Sequence, residues 1–203
     1  MNPVTHIPCV SIPLHPLDRE SLSILAQGNT RQRAAFDCIV RHDFFGLLSQ
    51  FRGVLASTIA LGIHTPTSDL DFLCEVQDLD RFADTIQHHF GHLRDFSLVT
   101  MPVPSESRGC SFWCDDFEIE VFGSTVRLEA QFGFRHYTVM ARLIKLGGDA
   151  FCDKLRAAKL AGLKSEPAVA AILSLPGNPY ESVAALSDST DAGLLELIQE
   201  AKK

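Results

Sequence analysis

Two stretches of this sequence alternate acidic and apolar residues, and this alternation constrains the fold more than any other feature. They are residues 69–72 (DLDF) and residues 118–122 (EIEVF). Because successive side chains of a strand point to opposite faces of a sheet, each stretch would carry its acids on one face and its apolar residues on the other. The sequence therefore predicts two strands that each bury one face and expose a pair of carboxylates on the other.

Helical patterns surround these strands. The apolar spacing predicts helices over residues 17–27, 30–50, 78–90, 131–146, 150–163, 167–175 and 190–201,. Strands are predicted over residues 54–63, 70–76, 96–103, 110–114 and 117–122,. This order indicates an α+β (mixed α/β) fold, in which a mixed sheet is flanked by helices and the C-terminal part is helical. We expect a core over residues 1–147, with an N-terminal arm, and a helical extension over 148–203 packed on it.

The charge of the chain excludes one class of partner. The formal net charge is −7 at pH 7. Such a protein is a poor candidate for broad nucleic-acid binding, which depends on neutralising phosphates. The apolar stretches are shorter than the roughly 18 residues of a membrane helix, and the N-terminus lacks the pattern of a signal peptide. We expect a cytoplasmic protein with no membrane partner.

The cysteines are expected to be reduced thiols. The chain has six cysteines and no CxxC spacing, and a chain of this length can build a core without disulfides. The closest pair, Cys110 and Cys114, has no second pair or neighbouring histidine in the sequence to complete four ligands,. We therefore predict no structural zinc site.

The acidic strands predict a metal site if they lie side by side. Their carboxylates would then crowd a half-buried patch, and a bound divalent cation would relieve the repulsion. Oxygen ligands without His or Cys favour Mg²⁺ or Mn²⁺ over zinc. The alternative is that both acidic pairs lie on a solvated sheet face.

The order of these segments resembles a known superfamily. Residues 57–58 (ST), 69–71 (DLD) and a later acidic strand ending at Glu120 are similar to the nucleotidyltransferase superfamily typified by DNA polymerase beta. More narrowly, residues 58–72, 118–123 and 131–143 resemble a bacterial domain-of-unknown-function family with this fold. The resemblance covers about residues 20–147.

The resemblance implies a metal-dependent transfer reaction. Asp69 and Asp71 would hold two Mg²⁺ ions roughly 3.5–4 Å apart. Glu120 would complete the metal site and act as the base on an acceptor hydroxyl, although Glu118 is open as an alternative third ligand. The implied function is a Mg²⁺-dependent nucleotidyltransferase that moves a nucleoside monophosphate from an NTP to an unidentified hydroxyl acceptor. The alternative is a non-catalytic nucleotide-binding or protein-interaction module of the same fold.

The resemblance also implies a phosphate site before the second strand. Ser57 and Thr58 would offer hydroxyl and backbone N–H groups to the nucleotide phosphates, with Ser68 nearby. Ser57 stands where the superfamily has glycine, and this departure is the reason that the non-catalytic alternative stays open.

A basic segment follows the last predicted strand. Residues 131–164 contain seven Lys and Arg against two Asp and Glu. Arg135 and Arg142 share a helical face and are expected to bind NTP phosphates, because a guanidinium can grip phosphate oxygens with two donors. The alternative is that they pair with acids for stability. His136 is expected to be a satisfied, partly buried residue, and Lys159 is expected on a helix far from the site.

Overall fold

The computed structural model describes residues 12–101 and 107–201, and these residues form one mixed sheet with helices around it. The strands are β1 Val54–Leu55, β2 Leu70–Glu75, β3 Arg94–Met101, β4 Ser107–Cys114 and β5 Phe117–Ser124. Their spatial order is β1-β2-β5-β4-β3. Only β2 and β5 are parallel, and the other neighbouring pairs are antiparallel. The predicted α+β class and the mixed sheet are confirmed.

Helices flank the sheet and make up the C-terminal part, as predicted. They are α1 Thr30–Arg41, α2 Phe44–Leu48, α3 Leu79–Phe90, α4 Phe132–Leu160, α5 Ser165–Leu173, α6 Pro179–Ala185 and α7 Asp191–Glu200. Short 3₁₀ helices lie at Ser21–Gln27, Ser49–Phe51, Leu128–Ala130 and Leu186–Asp188. Within the described ranges, no helix combines the length and the apolar character that crossing a bilayer requires.

Capping side chains mark where α1 and α2 begin. The Asn29 side chain accepts a hydrogen bond from the Gln32 backbone N–H at 2.9 Å, and the Gln32 side chain accepts from the Asn29 backbone N–H at 3.0 Å. This reciprocal box satisfies amides that the first turn of α1 leaves unpaired. The predicted helix over 30–50 is broken at Asp43, whose φ of 46° is left-handed and whose carboxylate caps α2.

The predicted strand over 54–63 is wrong beyond Leu55. Residues 57–63 form turns instead, in which the amides of Ala60 and Ile63 donate to the carbonyls of Ser57 and Thr58 at 3.0 and 3.2 Å. Gly62, at φ 68°, supplies the left-handed conformation that the turn needs,. The apolar side chains of this segment, Ile59, Ala60, Leu61 and Ile63, are all buried. The pattern therefore indicated which residues are inside, but not the path of the backbone.

The C-terminal helices differ from the prediction at two places. The helices predicted over 131–146 and 150–163 run together as α4 and meet at Gly148, whose φ of 63° and ψ of −158° kink the axis. The expected boundary between core and extension falls at this kink and stays a prediction. Helix α6 was missed because Pro179 read as a break. Proline is favoured in the first turn of a helix, and here the Asn178 side chain caps that turn,.

The two faces of the sheet have different cover. Gly123 of β5 faces α3, and the Phe82 ring lies directly against its Cα, where a Cβ would collide. Leu73, on the opposite face, packs against Gly133 at the start of α4. The Gln131 side-chain amide anchors that start by donating to the Cys74 carbonyl at 3.0 Å. Helix α4 therefore begins on the face that carries the acidic residues.

Candidate functional site

Three carboxylates meet where β2 and β5 lie side by side. Asp71 and Glu120 are register partners on these parallel strands, and Asp69 directly precedes β2. One carboxylate oxygen from each of Asp69, Asp71 and Glu120 lies within 4.8 Å of the others. The predicted clustering of these three side chains is confirmed. Glu120, and not Glu118, completes this group.

The electrostatics of the cluster are unfavourable for three bare charges. Burial, reinforced by the charges of Asp69 and Glu120, raises the pKa of Asp71 well above its ordinary value. Burial and the charges of Asp69 and Glu118 also raise the pKa of Glu120. A cation bound among these oxygens would remove the repulsion, and a set of carboxylate oxygens without nitrogen or sulfur fits Mg²⁺ or Mn²⁺.

The cluster lies in the wall of a cavity of about 480 Å³. The other polar walls come from the loop after β1, from α4 and from the start of α5. Their side chains are Thr58, Thr65, Thr67, Ser68, His136, Lys159, Lys164, Ser165 and Glu166. Acids, hydroxyls and two lysines therefore face one space that is large enough for a small-molecule ligand.

Ser57 does not line this cavity. It is fully buried, and its hydroxyl donates to the Asp69 carbonyl at 2.6 Å and accepts from the Ile59 amide at 3.2 Å. The Ser57 side chain thus ties the turn to the start of β2 and positions Asp69. The expected contact between its hydroxyl and a phosphate is not favoured by this geometry.

Thr58 and Ser68 do face the cavity, as expected for nucleotide-binding residues. The Thr58 hydroxyl donates to the Ser68 hydroxyl at 3.5 Å, and the Ser68 hydroxyl accepts from the Thr65 amide at 2.9 Å. Their role in binding a nucleotide stays a prediction.

Lys159 lies in the site, against the expectation that its helix is distant. Its ammonium group donates to the hydroxyls of Thr58 and Ser165 at 3.0 and 3.1 Å. Burial lowers the pKa of Lys159, although nearby acids, with Asp69 the strongest, act against that shift. No local pattern in the sequence could have indicated this position, because it depends on the path of α4 beyond the kink.

Arg135 and Arg142 lie outside the cavity. Arg135 donates to the Ser187 hydroxyl at 2.7 Å and pairs with Asp188 at 3.1 Å. Arg142 pairs with Asp191 at 2.7 Å and donates to the backbone carbonyls before α7. Because both guanidinium groups face the connection between α6 and α7, their predicted contact with nucleotide phosphates is not favoured. Their pairing with acids matches the alternative reading.

His136 and Glu166 form a buried pair in the cavity wall. His136 Nε2 lies 2.8 Å from the Tyr180 carbonyl, so Nε2 carries a hydrogen and donates,. His136 Nδ1 lies 3.2 Å from the Glu166 carboxylate. Burial alone would raise the pKa of Glu166, but its hydrogen bond to His136 and the charges of His136 and Lys159 lower it. The expectation of a satisfied, buried histidine agrees with this geometry.

Comparison with known proteins places most of this site inside one family. A family profile described as a domain of unknown function matches residues 37–186, which include the acidic cluster, Lys159 and Glu166. No curated protein and no solved structure matches the chain.

Proposed function

The chain belongs to the family DUF4269, and we propose that it is a cytoplasmic, divalent-metal-dependent nucleotidyltransferase. It would move a nucleoside monophosphate from an NTP to a hydroxyl acceptor. The observation that carries this proposal is the group of Asp69, Asp71 and Glu120, whose oxygens lie within 4.8 Å of one another in the wall of a cavity that also holds hydroxyls and lysines.

The acidic group fits the metal that this chemistry uses. Asp69, Asp71 and Glu120 would hold Mg²⁺ or Mn²⁺, which when bound offsets phosphate charge and stabilises the attacking and leaving oxygens. The raised pKa of Asp71 supports the fit, because it shows that the surrounding side chains do not supply enough positive charge to offset the carboxylates.

Other residues that line the same cavity supply groups for a triphosphate. Lys159 and Lys164 bring positive charge, and Thr58 and Ser68 bring hydroxyl donors. Lys159 is already held in place by the hydroxyls of Thr58 and Ser165. A charge placed in advance needs little reorganisation when an anion binds. We therefore assign Lys159 the role in phosphate binding that the sequence analysis gave to Arg135 and Arg142.

We assign Glu120 to the acceptor side of the reaction. It lines the main cavity and also a second cavity of about 170 Å³ over β3, β4 and β5, whose walls include Val99, Gly109 and Phe122. An acceptor in the second cavity would bring its hydroxyl to Glu120, which would act as the general base,. Glu120 would take the hydroxyl proton while the acceptor oxygen bonds to the α-phosphorus. The bond from that phosphorus to the β-phosphate oxygen would break, and pyrophosphate would leave.

The direct test is label transfer from NTPs that are labelled at different phosphates. The purified protein is incubated with Mg²⁺, a clarified cell extract as acceptor pool, and each of the four NTPs labelled at the α or the γ position. We expect transfer of the α label only, from at least one NTP, and its loss in Asp71→Asn. Transfer of the γ label that depends on the added protein would indicate a kinase and contradict the proposal.

Nucleotide binding separates the enzyme from the non-catalytic alternative. Calorimetry with Mg²⁺ and each NTP should show binding that falls about tenfold to hundredfold in Lys159→Met, since a hydrogen bond to a charged group contributes about 1.5–3 kcal/mol. Lys154→Met is the matched control, because Lys154 is on the same helix and bonds the Ala201 carbonyl instead. Binding without transfer would favour the nucleotide-binding module. Absence of binding by the wild type would favour a protein-interaction module.

A further inference from the structure

Two cysteines and a histidine converge on the far side of the sheet from the acidic cluster. Cys38 lies in the last turns of α1, and His42 is the residue that ends this helix. Cys114 is the last residue of β4. One ligand atom of each of these three side chains lies within 4.8 Å of the others.

A fourth side chain stands beside them. Asp115 Oδ1 lies 3.4 Å from His42 Nε2. Asp115 is not one of the three residues whose ligand atoms all lie within 4.8 Å of one another. Its second oxygen is 3.0 Å from Arg41 Nη1. A carboxylate that bonds a histidine from outside the ligand group is typical of metal sites, where it orients the imidazole.

The sulfur atoms of Cys38 and Cys114 lie within 4.8 Å of each other. The Cys38 thiol points to the Cys114 backbone, with its sulfur 3.8 Å from the carbonyl oxygen. Around a tetrahedral zinc, sulfur and nitrogen ligands are about 3.5–3.8 Å apart, so the three ligand atoms would need to approach one another by up to roughly 1 Å. Rotation of side chains alone covers such a distance.

The two cysteines are buried and the histidine is partly exposed, an arrangement that suits a metal site. Cys38 and Cys114 are 1% and 4% exposed, whereas the His42 side chain is 34% exposed. The thiols therefore lie in an apolar setting, and the imidazole opens the group to solvent, from which an ion can enter. Thiolate and imidazole ligands select zinc over the hard cations that suit Asp69 and Asp71.

We propose that Cys38, His42 and Cys114 bind a zinc ion that ties the end of α1 to the end of β4, and that Asp115 holds the His42 imidazole in place from outside the group. The sequence predicts no zinc site because Cys38 and His42 are far from Cys114 along the chain, and only folding brings them together. The site is independent of the proposed nucleotidyltransferase activity, because it lies on the opposite face of the sheet from the acidic cluster, and it has a structural role, because it joins a helix to a strand.

Cobalt substitution tests the ligands directly. The protein is treated with chelator and titrated with Co²⁺, which shows a thiolate charge-transfer band when cysteines bind it. We expect this band in the wild type, its displacement by an equimolar amount of Zn²⁺, and its loss in Cys38→Ser and Cys114→Ser. The matched controls Cys110→Ser, a buried cysteine outside the group, and Asp71→Asn, in the acidic cluster, should keep it.

The cysteine variants could lose the band by misfolding, and His42→Ala controls for this, because His42 is partly exposed and its replacement should leave the fold intact. It should keep the thiolate band and weaken cobalt affinity by at least about tenfold, as even outer-sphere changes at zinc sites do. Absence of the band from the wild type would overturn the proposal, as would equal cobalt affinity in the wild type and His42→Ala. Mg²⁺-dependent NTP binding would be unaffected by that outcome, so the two proposals fail separately.

Discussion

Replacing Asp71 with asparagine should stabilise the metal-free protein. The change removes one negative charge from the acidic cluster and keeps the shape of the side chain. With carboxylate oxygens no more than 4.8 Å apart, Coulomb's law at an effective dielectric constant of about 20 gives at least roughly 3.5 kcal/mol of repulsion for each ionised pair. Protonation of Asp71 already relieves part of this repulsion. We therefore expect Asp71→Asn to raise the free energy of unfolding by about 1–3 kcal/mol at pH 8 without metal.

The pH dependence has a definite sign. The pKa of Asp71 in the folded protein lies above its ordinary value of 3.8, so folding favours the protonated acid. The stability that this group contributes is complete below its ordinary pKa and is lost as the pH rises through the raised value. The advantage of Asp71→Asn over the wild type should therefore be absent in acid and grow as the pH rises.

Divalent metal should cancel or reverse the stability advantage of Asp71→Asn over the wild type. An ion at about 100 times its dissociation constant stabilises the state that binds it by roughly 2.7 kcal/mol. Mg²⁺ or Mn²⁺ should give the wild type a gain of this order and Asp71→Asn much less, because the variant has lost a ligand. Glu118→Gln, which also removes an acid from this face but lies outside the group of three, should respond to metal as the wild type does.

Thermal denaturation in EDTA and in saturating Mg²⁺, across a series of pH values, measures all of these effects. For a chain of this size, 1–3 kcal/mol corresponds to roughly 2–12 °C in melting temperature. Two results would refute the reasoning: a variant that is less stable than the wild type in EDTA at pH 8, or equal stabilisation of both proteins by Mg²⁺.

Three further predictions test other parts of the structure. Arg142→Ala should lower the free energy of unfolding by about 1.5–3 kcal/mol in urea denaturation, because it removes charged hydrogen bonds to the segment before α7,. If Arg142→Ala instead lost as much NTP affinity as Lys159→Met, Arg142 would belong to the nucleotide site. The stability gap between the wild type and Glu166→Gln should narrow as the pH falls below about 4.5, because the pKa of Glu166 is lowered from that value and its contribution is lost on protonation,; a gap that does not change with pH would contradict the ion pair. Gly148→Ala should destabilise the protein by about 1–3 kcal/mol, because the backbone φ at this position is 63°,. The control Gly193→Ala, in an ordinary helical turn, should be neutral or stabilising when both variants are melted in a calorimeter. Similar losses of stability in both variants would contradict the kink.

The acidic cluster could be predicted because each half of it is local. A period of two places Asp69 and Asp71 on one face of β2 and Glu120 on one face of β5. The cluster also requires the two strands to be neighbours. The resemblance of the segment order to the nucleotidyltransferase superfamily suggested this pairing but could not prove it. Parallel pairing of β2 and β5, with Asp71 opposite Glu120, brings the two halves together.

The loop after β1 shows where a local pattern is ambiguous. Its apolar residues fit a buried strand, yet the same residues are buried by turns that precede β2. Ser57 illustrates the consequence, since a residue expected to face phosphate instead bonds the Asp69 backbone. Burial is encoded in residue type, whereas the path of the backbone depends on which hydrogen-bond partners the rest of the chain provides.

By itself, the sequence determined the elements whose signals are short-range: the acidic strands, the start of α1 at residue 30 and the helical C-terminal part. Only the tertiary structure decided that Lys159 reaches Thr58, and that Cys38 and His42 meet Cys114. Periodicity and capping act over a few residues, and the sequence expresses them directly. Contacts between distant segments arise from how complete faces pack against one another, and no single residue along the chain carries that information.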